Sequence, residues 1–295
     1  MANDVVFVDY FSFENITLER MRPRLEELAE NGVRLISLSG NMMKRLADHP
    51  EDVPAMHRLL DEFGITCHDA HGLWRDGEEL TLPFEGDRKR MISRVARTLE
   101  LAAEFGGRTL TIHTTTWANS TFEARPLEQW REYIADGLEH LIPVAERLGV
   151  CIAMENIWGP CDTPLELAAC AKRFDSPYLG LCYDAGHANV MSASGVRTWA
   201  CLPWIWEKYG EVQWFDNALD IMLPYVVTAH LHDNKTDEDS HDMPGRGTID
   251  WQNMVPKLLS APRLISVQSE VSTAHGYSVR EIRESFKAVL PASCF

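Results

Sequence analysis

The sequence predicts an α/β chain built as a single (β/α)8 barrel. Three observations carry this. Eight short, β-branched apolar runs alternate with longer amphipathic segments, the pattern of repeated βαβ units with a parallel sheet and right-handed crossovers. No Gly-rich phosphate loop stands near the N-terminus, which favours a closed barrel over an open doubly wound sheet. A length of 295 residues, 45% hydrophobic and 24% charged, suits one barrel with a large core.

The first strand-like run is VVFVDYF (5–11). TLERMRPRLEELAENG (17–32) comes next, with Met21, Leu25 and Leu28 on one face and Gly32 as its stop, so it reads as a helix. The next runs are VRLISLSG (33–40), ITCHDAHG (65–72) and RTLTIHTT (108–115). Between the last two, 88–107 sets Ile92, Val95, Ala96, Leu99, Ala102 and Ala103 on one stripe and ends at a Gly pair. Helix periodicity returns over 127–149 and over 279–290. The remaining strand-like runs are VCIAMENI (150–157), LGLCYDAGH (179–187), YVVTAHLHDN (225–234) and LISVQSEV (264–271). The chain is therefore expected to form one domain over 1–295. Its Trp- and Pro-rich stretch around 189–224 exceeds what one helix needs and is expected to enlarge the loops near the top.

Bulk properties narrow the function. A net charge of −16 opposes non-specific duplex binding, which needs clustered Lys and Arg, so nucleic acid is not the expected partner. No apolar stretch reaches the length of a membrane span. The N-terminus lacks the basic segment of a signal peptide, and seven scattered Cys without a C-x-x-C read as reduced thiols; a cytoplasmic location is expected.

In such barrels the active site forms at the C-terminal ends of the strands. Here six successive strand ends each deliver a metal-type ligand: His68 to His71, His113, Glu155, Asp184 with His187, His230 with Asp233, and Glu270. One such residue means little, since a lone His is more often a hydrogen-bonded structural group. Carboxylates converging at one edge would repel each other unless a cation neutralised them. The stretch HLHDNKTDEDSHDMPGRGTIDW (230–251) adds Asp239 and His241 beside the same edge. His232 lies two residues past His230, and alternation places it on the same side.

These motifs resemble the xylose-isomerase-like TIM-barrel superfamily, which joins sugar isomerases and epimerases with the endonuclease IV family, and the resemblance covers nearly the whole chain. It rests on "EN" (Glu155, Asn156), "DxGH" (Asp184 to His187), "HLxDN" (His230 to Asn234) and "DxHxxPGxGxIDW" (Asp239 to Trp251). The resemblance implies that Glu155, Asp184, His230 and Glu270 bind one divalent metal. The endonuclease branch uses nine ligands for three zinc ions, matched here by His71, His113, Glu155, Asp184, His187, His230, Asp239, His241 and Glu270. Cys161 stands where the ketose 3-epimerase pattern carries a second Glu, a departure from that pattern.

Three carboxylates and one His suit Mn²⁺, Mg²⁺ or Co²⁺, while further His ligands tilt the choice toward Zn²⁺. On this resemblance the chain is expected to be a metal-dependent isomerase or epimerase of a sugar, sugar phosphate or sugar-like polyol, working through a metal-bound enediolate. Glu155 and Glu270 would be the acid and base, and His187 would contact a substrate oxygen. His71, His113, Asp239 and His241 are further metal or substrate contacts. Asp233 would orient a ligand from behind. Trp74, Trp117 and Trp158 offer apolar walls for a sugar, and Lys235 and Arg246 offer charges for a phosphate or carboxylate. Trp251 reads as a structural anchor at a helix start. The resemblance also leaves open a homo-oligomer, a zinc phosphodiesterase acting on abasic DNA, and a barrel that binds metal and ligand without turnover.

Overall fold

The structure, a computed structural model, describes residues 4–11, 17–74, 77–115, 125–193 and 205–295. Its strands are β1 (Val6–Phe11), β2 (Leu35–Leu38), β3 (Thr66–His71), β4 (Thr109–Ile112), β5 (Cys151–Glu155), β6 (Leu179–Asp184), β7 (Val226–Leu231) and β8 (Ser266–Ser269). All neighbours pair in parallel, and β1 pairs with β8 to close the barrel. Each strand lies inside its expected run.

The helices are α1 (Leu18–Glu30), α2 (Gly40–Asp48), α3 (Val53–Phe63), α4 (Glu85–Glu104), α5 (Leu127–Leu148), α6 (Pro164–Phe174), α7 (Ala185–Val190), α8 (Ala218–Met222), α9 (Trp251–Leu259) and α10 (Val279–Lys287). The four helices set out from periodicity are α1, α4, α5 and α10; α4 begins at Glu85, earlier than residue 88. Gly149 ends α5 in the left-handed region at φ 71°, where a side chain would be strained. Trp251 opens α9 and is buried, as expected of an anchor. The segment 189–224 contributes the end of α7 and all of α8, while 194–204 lies outside the described residues.

The main core lies between barrel and helices. Leu25 and Leu28 of α1, Leu99 of α4 and Leu138 of α5 share one cluster with Leu110, Ile152, Leu181 and Val267 of the strands. Ala153, Cys182 and Val227 form a second, small cluster. Alternation along β5 separates Ala153 and Glu155 from Ile152 and Met154. The same alternation along β6 sends Cys182 and Asp184 one way and Leu181 the other. Register shifts interrupt β3 at His68 and β7 at Val227. A bulged residue resets the phase of the residues after it, and here both strands deliver their site histidines beyond the bulge. No described helix is long and apolar enough to cross a membrane.

A buried ion pair fastens the end of the chain to its start. Arg283 of α10 donates to the Asp9 carboxylate on β1, and its guanidinium lies 5.8 Å from the Phe7 ring and 5.7 Å from that of Phe295. Burial raises the Asp9 pKa to about 6 despite the arginine. Folded Asp9 therefore holds its proton at higher pH than unfolded Asp9. The stability that this lends is complete below the ordinary value of 3.8 and is lost as pH rises through about 6. Arg283→Met should cost about 3 kcal/mol in denaturant unfolding at pH 7, because a buried carboxylate loses its partner. The cost should shrink at pH 5, where Asp9 is neutralised more readily, and adding Asp9→Asn should restore part of it.

Candidate metal centre

The ends of four strands bring the expected metal-binding residues together. Ligand atoms of Glu155 (β5), Asp184 (β6), His230 (β7) and Glu270 (just past β8) all lie within 4.8 Å of one another. The first three side chains are fully or almost fully buried, and that of Glu270 is 12% exposed. His230 Nδ1 lies 3.2 Å from Glu155 Oε1, 3.0 Å from Glu270 Oε2 and 3.9 Å from Asp184 Oδ2. His71 and His113 approach from β3 and from the end of β4, with Nε2 atoms 3.3 and 3.0 Å from Glu155 Oε2. His187, Asp239 and His241 gather on the other side, joined by His232. The nine positions noted in the sequence thus converge on one mouth.

Backbone contacts decide which nitrogen each histidine presents. His71 Nδ1 donates to Gly72 O at 2.9 Å, His187 Nδ1 to Asn156 O at 2.9 Å, and His241 Nδ1 to Glu270 O at 2.8 Å. Each Nε2 is thereby turned toward the site, the orientation that a metal-binding imidazole requires. Asn156 also pins Asp184, accepting from its N–H at 2.8 Å and donating to its carbonyl at 3.0 Å. Asp184 caps α7 by accepting from His187 N at 2.6 Å, which leaves Oδ2 for the site.

Electrostatics come from this crowding. Burial pushes Glu155 up, but the charges of His230 and His113 outweigh it and hold its carboxyl well below the usual range. Glu270 is likewise held low, burial being overcome chiefly by His230. Burial alone would depress His187, yet Asp184 and Asp239 raise it well above 6.5. His241 rises to about 10, burial being overcome by Asp239. Tyr10, near the end of β1, sits 5.8 Å from the His230 ring, with its hydroxyl close enough to feel the Glu270 charge. Burial and the Glu270 charge keep it a neutral phenol.

The residues fit a divalent cation. Two carboxylates about 4 Å apart repel by about 4 kcal/mol at an effective dielectric near 20, and one protonated His230 offsets only one of three charges. Buried Glu270 Oε2 and Asp239 Oδ1 have no hydrogen-bond partner, an expensive state for carboxylate oxygens unless a cation meets them.

The other expected contacts are more dispersed. Trp74 lies 6.5 Å from the His113 ring and Trp158 packs edge-on to His187 at 5.0 Å, so both flank the site. Trp117 lies outside the described residues. Lys235 and Arg246 are exposed, and Arg246 acts on Tyr277 and Glu281. Asp233 does not orient His230. It accepts from the N–H groups of Gly245 (2.9 Å) and Ile249 (3.2 Å) and from Trp251 Nε1 (3.0 Å), folding back the loop that carries Asp239 and His241. Two site residues carried little weight in the sequence. Tyr10 lies near the end of β1, whose one ligand-type residue, Asp9, pairs with Arg283 away from the site, and His232 showed only the alternation of HLH.

Comparison with known proteins agrees with this architecture. The family profile described as xylose isomerase-like TIM barrel matches residues 25–287, so the chain belongs to that family. It is 26% identical over 144 residues to an uncharacterized protein of Methanocaldococcus jannaschii, which is 44% of this chain and 42% of that relative. It is 24% identical over 90 residues to one of Sinorhizobium fredii, which is 30% of this chain and 22% of that relative. The chain thus matches less than half the length of either. Among solved structures it is similar to a D-tagatose 3-epimerase-like protein (19% identity, TM-score 0.69, covering 97% of this chain and 98% of the other). A 3-keto-D-glucoside 4-epimerase from E. coli gives 16% identity, TM-score 0.69 and coverage of 97% and 98%. The IolI protein with a bound zinc atom gives 16%, 0.68, 97% and 96%. At such identities these likenesses concern the fold.

Gly186 admits the His232 ring. A Cβ at that position would lie 1.9 Å from His232 Cε1 and 2.3 Å from its Nδ1. Gly186→Ala should therefore destabilise the protein by roughly 1–3 kcal/mol, the usual cost of overpacking, as read by denaturant unfolding.

Proposed function

We propose that this chain is a divalent-metal-dependent isomerase or epimerase acting on a sugar, sugar phosphate or sugar-like polyol. The observation that carries the reading is the pairing of Glu155 and Glu270, two carboxylates from the ends of β5 and β8 whose oxygens share His230 Nδ1 as a neighbour. When bound by Glu155, Asp184, His230 and Glu270, the cation supplies a Lewis acid that makes a carbon next to a carbonyl acidic.

The remaining work belongs to the side chains. Proton abstraction beside a carbonyl needs a base at the carbon and an acid to return the proton. Glu155 and Glu270 are held ionised by His230 and by His113 or His241, so either is ready as the base. The C–H electron pair moves toward the carbonyl oxygen while the carboxylate takes the proton. When the second glutamate carries a proton from solvent, its delivery to the opposite face of the same carbon inverts it while the first keeps the proton it took, giving epimerisation. When the first glutamate returns its proton to the neighbouring carbon and that carbon's hydroxyl proton passes to the former carbonyl oxygen, the carbonyl moves, giving isomerisation. Tyr10 places a neutral phenol beside Glu270, and Trp74 and Trp158 give apolar faces for the C–H surface of a sugar.

The gathered nine-ligand set is the observation that favours the zinc phosphodiesterase reading. Phosphate positioning weighs against it. Lys44 is tied to Glu78 at 2.6 Å and Asp48 at 3.3 Å, and Arg45 to Asp52 at 2.5 Å, so these cations near the barrel top already have anionic partners.

Glu155→Gln and Glu270→Gln should each lower exchange of a substrate C–H proton with D₂O by at least about 100-fold, measured with Mn²⁺ over a panel of ketoses. Metal content of the same samples separates loss of the base from loss of the ion. Unchanged exchange in both variants would contradict the assignment.

A further inference from the structure

We propose that Gln268 positions His230 from inside the barrel: through one water bound below the metal centre, its Oε1 takes the Nε2–H of His230 and keeps Nδ1 turned to the mouth. The proposal rests on the metal reading above and adds to it a positioning residue and a water site.

Strand alternation makes this barrel polar inside. Ile36, Leu38, Leu110, Ile112, Ala229 and Val267 face outward into the main core. Their neighbours along the strands, Ser37, Thr111, Thr228, Ser266 and Gln268, therefore face inward, and all are fully buried. Ala153 and Cys182 add only small side chains. A barrel interior is normally filled by bulky Val, Ile and Leu. Hydroxyls and an amide leave that volume to a polar occupant, and a buried water takes about three such partners.

Two unmet atoms mark where the water sits. Gln268 Oε1 and His230 Nε2 are both buried without a hydrogen-bond partner, as are Ser37 Oγ and Thr111 Oγ1. His230 and Gln268 stand opposite each other in the register of β7 and β8, both pointing inward. The other end of the amide is already committed. Gln268 Nε2 donates to Thr228 Oγ1 at 2.9 Å, and the Thr228 and Ser266 hydroxyls share a hydrogen bond at 2.8 Å. The carbonyl is thus the free end of a fixed amide. It makes no direct bond to the ring, so a water is the bridge.

His230 needs an acceptor at this place. Its Nδ1 faces Glu155 and Glu270 at 3.2 and 3.0 Å. An imidazole that gives Nδ1 to a cation carries its hydrogen on Nε2, and metal-binding histidines pass that hydrogen to a carbonyl, a carboxylate or water. The Cys182 thiol lies beside the ring, but sulfur is a weak acceptor. An amide raises the basicity of the imidazole less than a carboxylate would, which leaves the cation a stronger Lewis acid.

The test needs no sugar. In a high-resolution crystal structure of the zinc-loaded chain, one water should lie within hydrogen-bond distance of both His230 Nε2 and Gln268 Oε1. Nitrogen-15 NMR of the histidine rings should find the His230 hydrogen on Nε2, exchanging slowly with solvent. Gln268→Met keeps the length and removes the acceptor. It should weaken zinc binding at least about 10-fold, read by competition with a chelator, and speed that exchange. Gln268→Glu should restore both. A wild-type structure with no water at that point, or a His230 with no hydrogen on Nε2, would overturn the proposal even if both variants misfolded. So would wild-type zinc affinity and exchange in Gln268→Met. Wild type that takes up no zinc would instead sink the metal reading, and the water and the Nε2 hydrogen are still readable in the metal-free chain.

Discussion

Everything at the mouth of this barrel depends on placing carboxylates where they cannot stay ionised alone. Glu155, Asp184, Glu270 and Asp239 are brought together by strand ends and one returning loop, with histidines packed among them. At Glu155, Asp239 and Glu270 burial raises the cost of the negative charge, and the imidazoles lower it again. Hydrogen bonds from His71, His187 and His241 to backbone carbonyls then aim their second nitrogens inward. Such a cluster is costly unless further positive charge meets it, and the closed barrel holds its members in place.

Rigidity comes from the closed sheet. Eight parallel strands leave no free edge, and the helices cover the outside with a continuous apolar layer. Asp233 shows how a polar residue can serve this framework. Buried completely, it accepts from three groups of the 245–251 segment and fixes the loop whose other end carries Asp239 and His241. Gly247 permits the same approach, since a Cβ there would lie 2.0 Å from Asn234 O. The motif between Asp239 and Trp251 thus returns Asp239 and His241 to the mouth.

Much of this was legible in the sequence because barrel geometry turns linear order into position. A strand's last polar residue must emerge at the C-terminal edge, so Glu155, Asp184, His230 and Glu270 could be gathered by counting runs. The bulges at His68 and Val227 were not legible, since they arise from fitting neighbouring strands and no local pattern marks them. Helices α2 and α3 were also unmarked: Pro50 and Pro54 interrupt the segment, and each piece is too short for a clear period. His232 showed its side but not its companions, because the path that brings Asp239 and His241 back depends on Asp233 and on two glycines. Tyr10 could be found only by knowing that β1 ends beside Glu270, which is a consequence of closure.

The central claim is that one cation joins side chains from four strands, and diffraction tests it most directly. Crystals grown with zinc or manganese and measured at that metal's absorption edge should show an anomalous peak about 2.1 Å from oxygens of Glu155, Asp184 and Glu270 and from His230 Nδ1. Crystals grown with excess metal that show no peak among these four residues, or that show them turned apart, would contradict it.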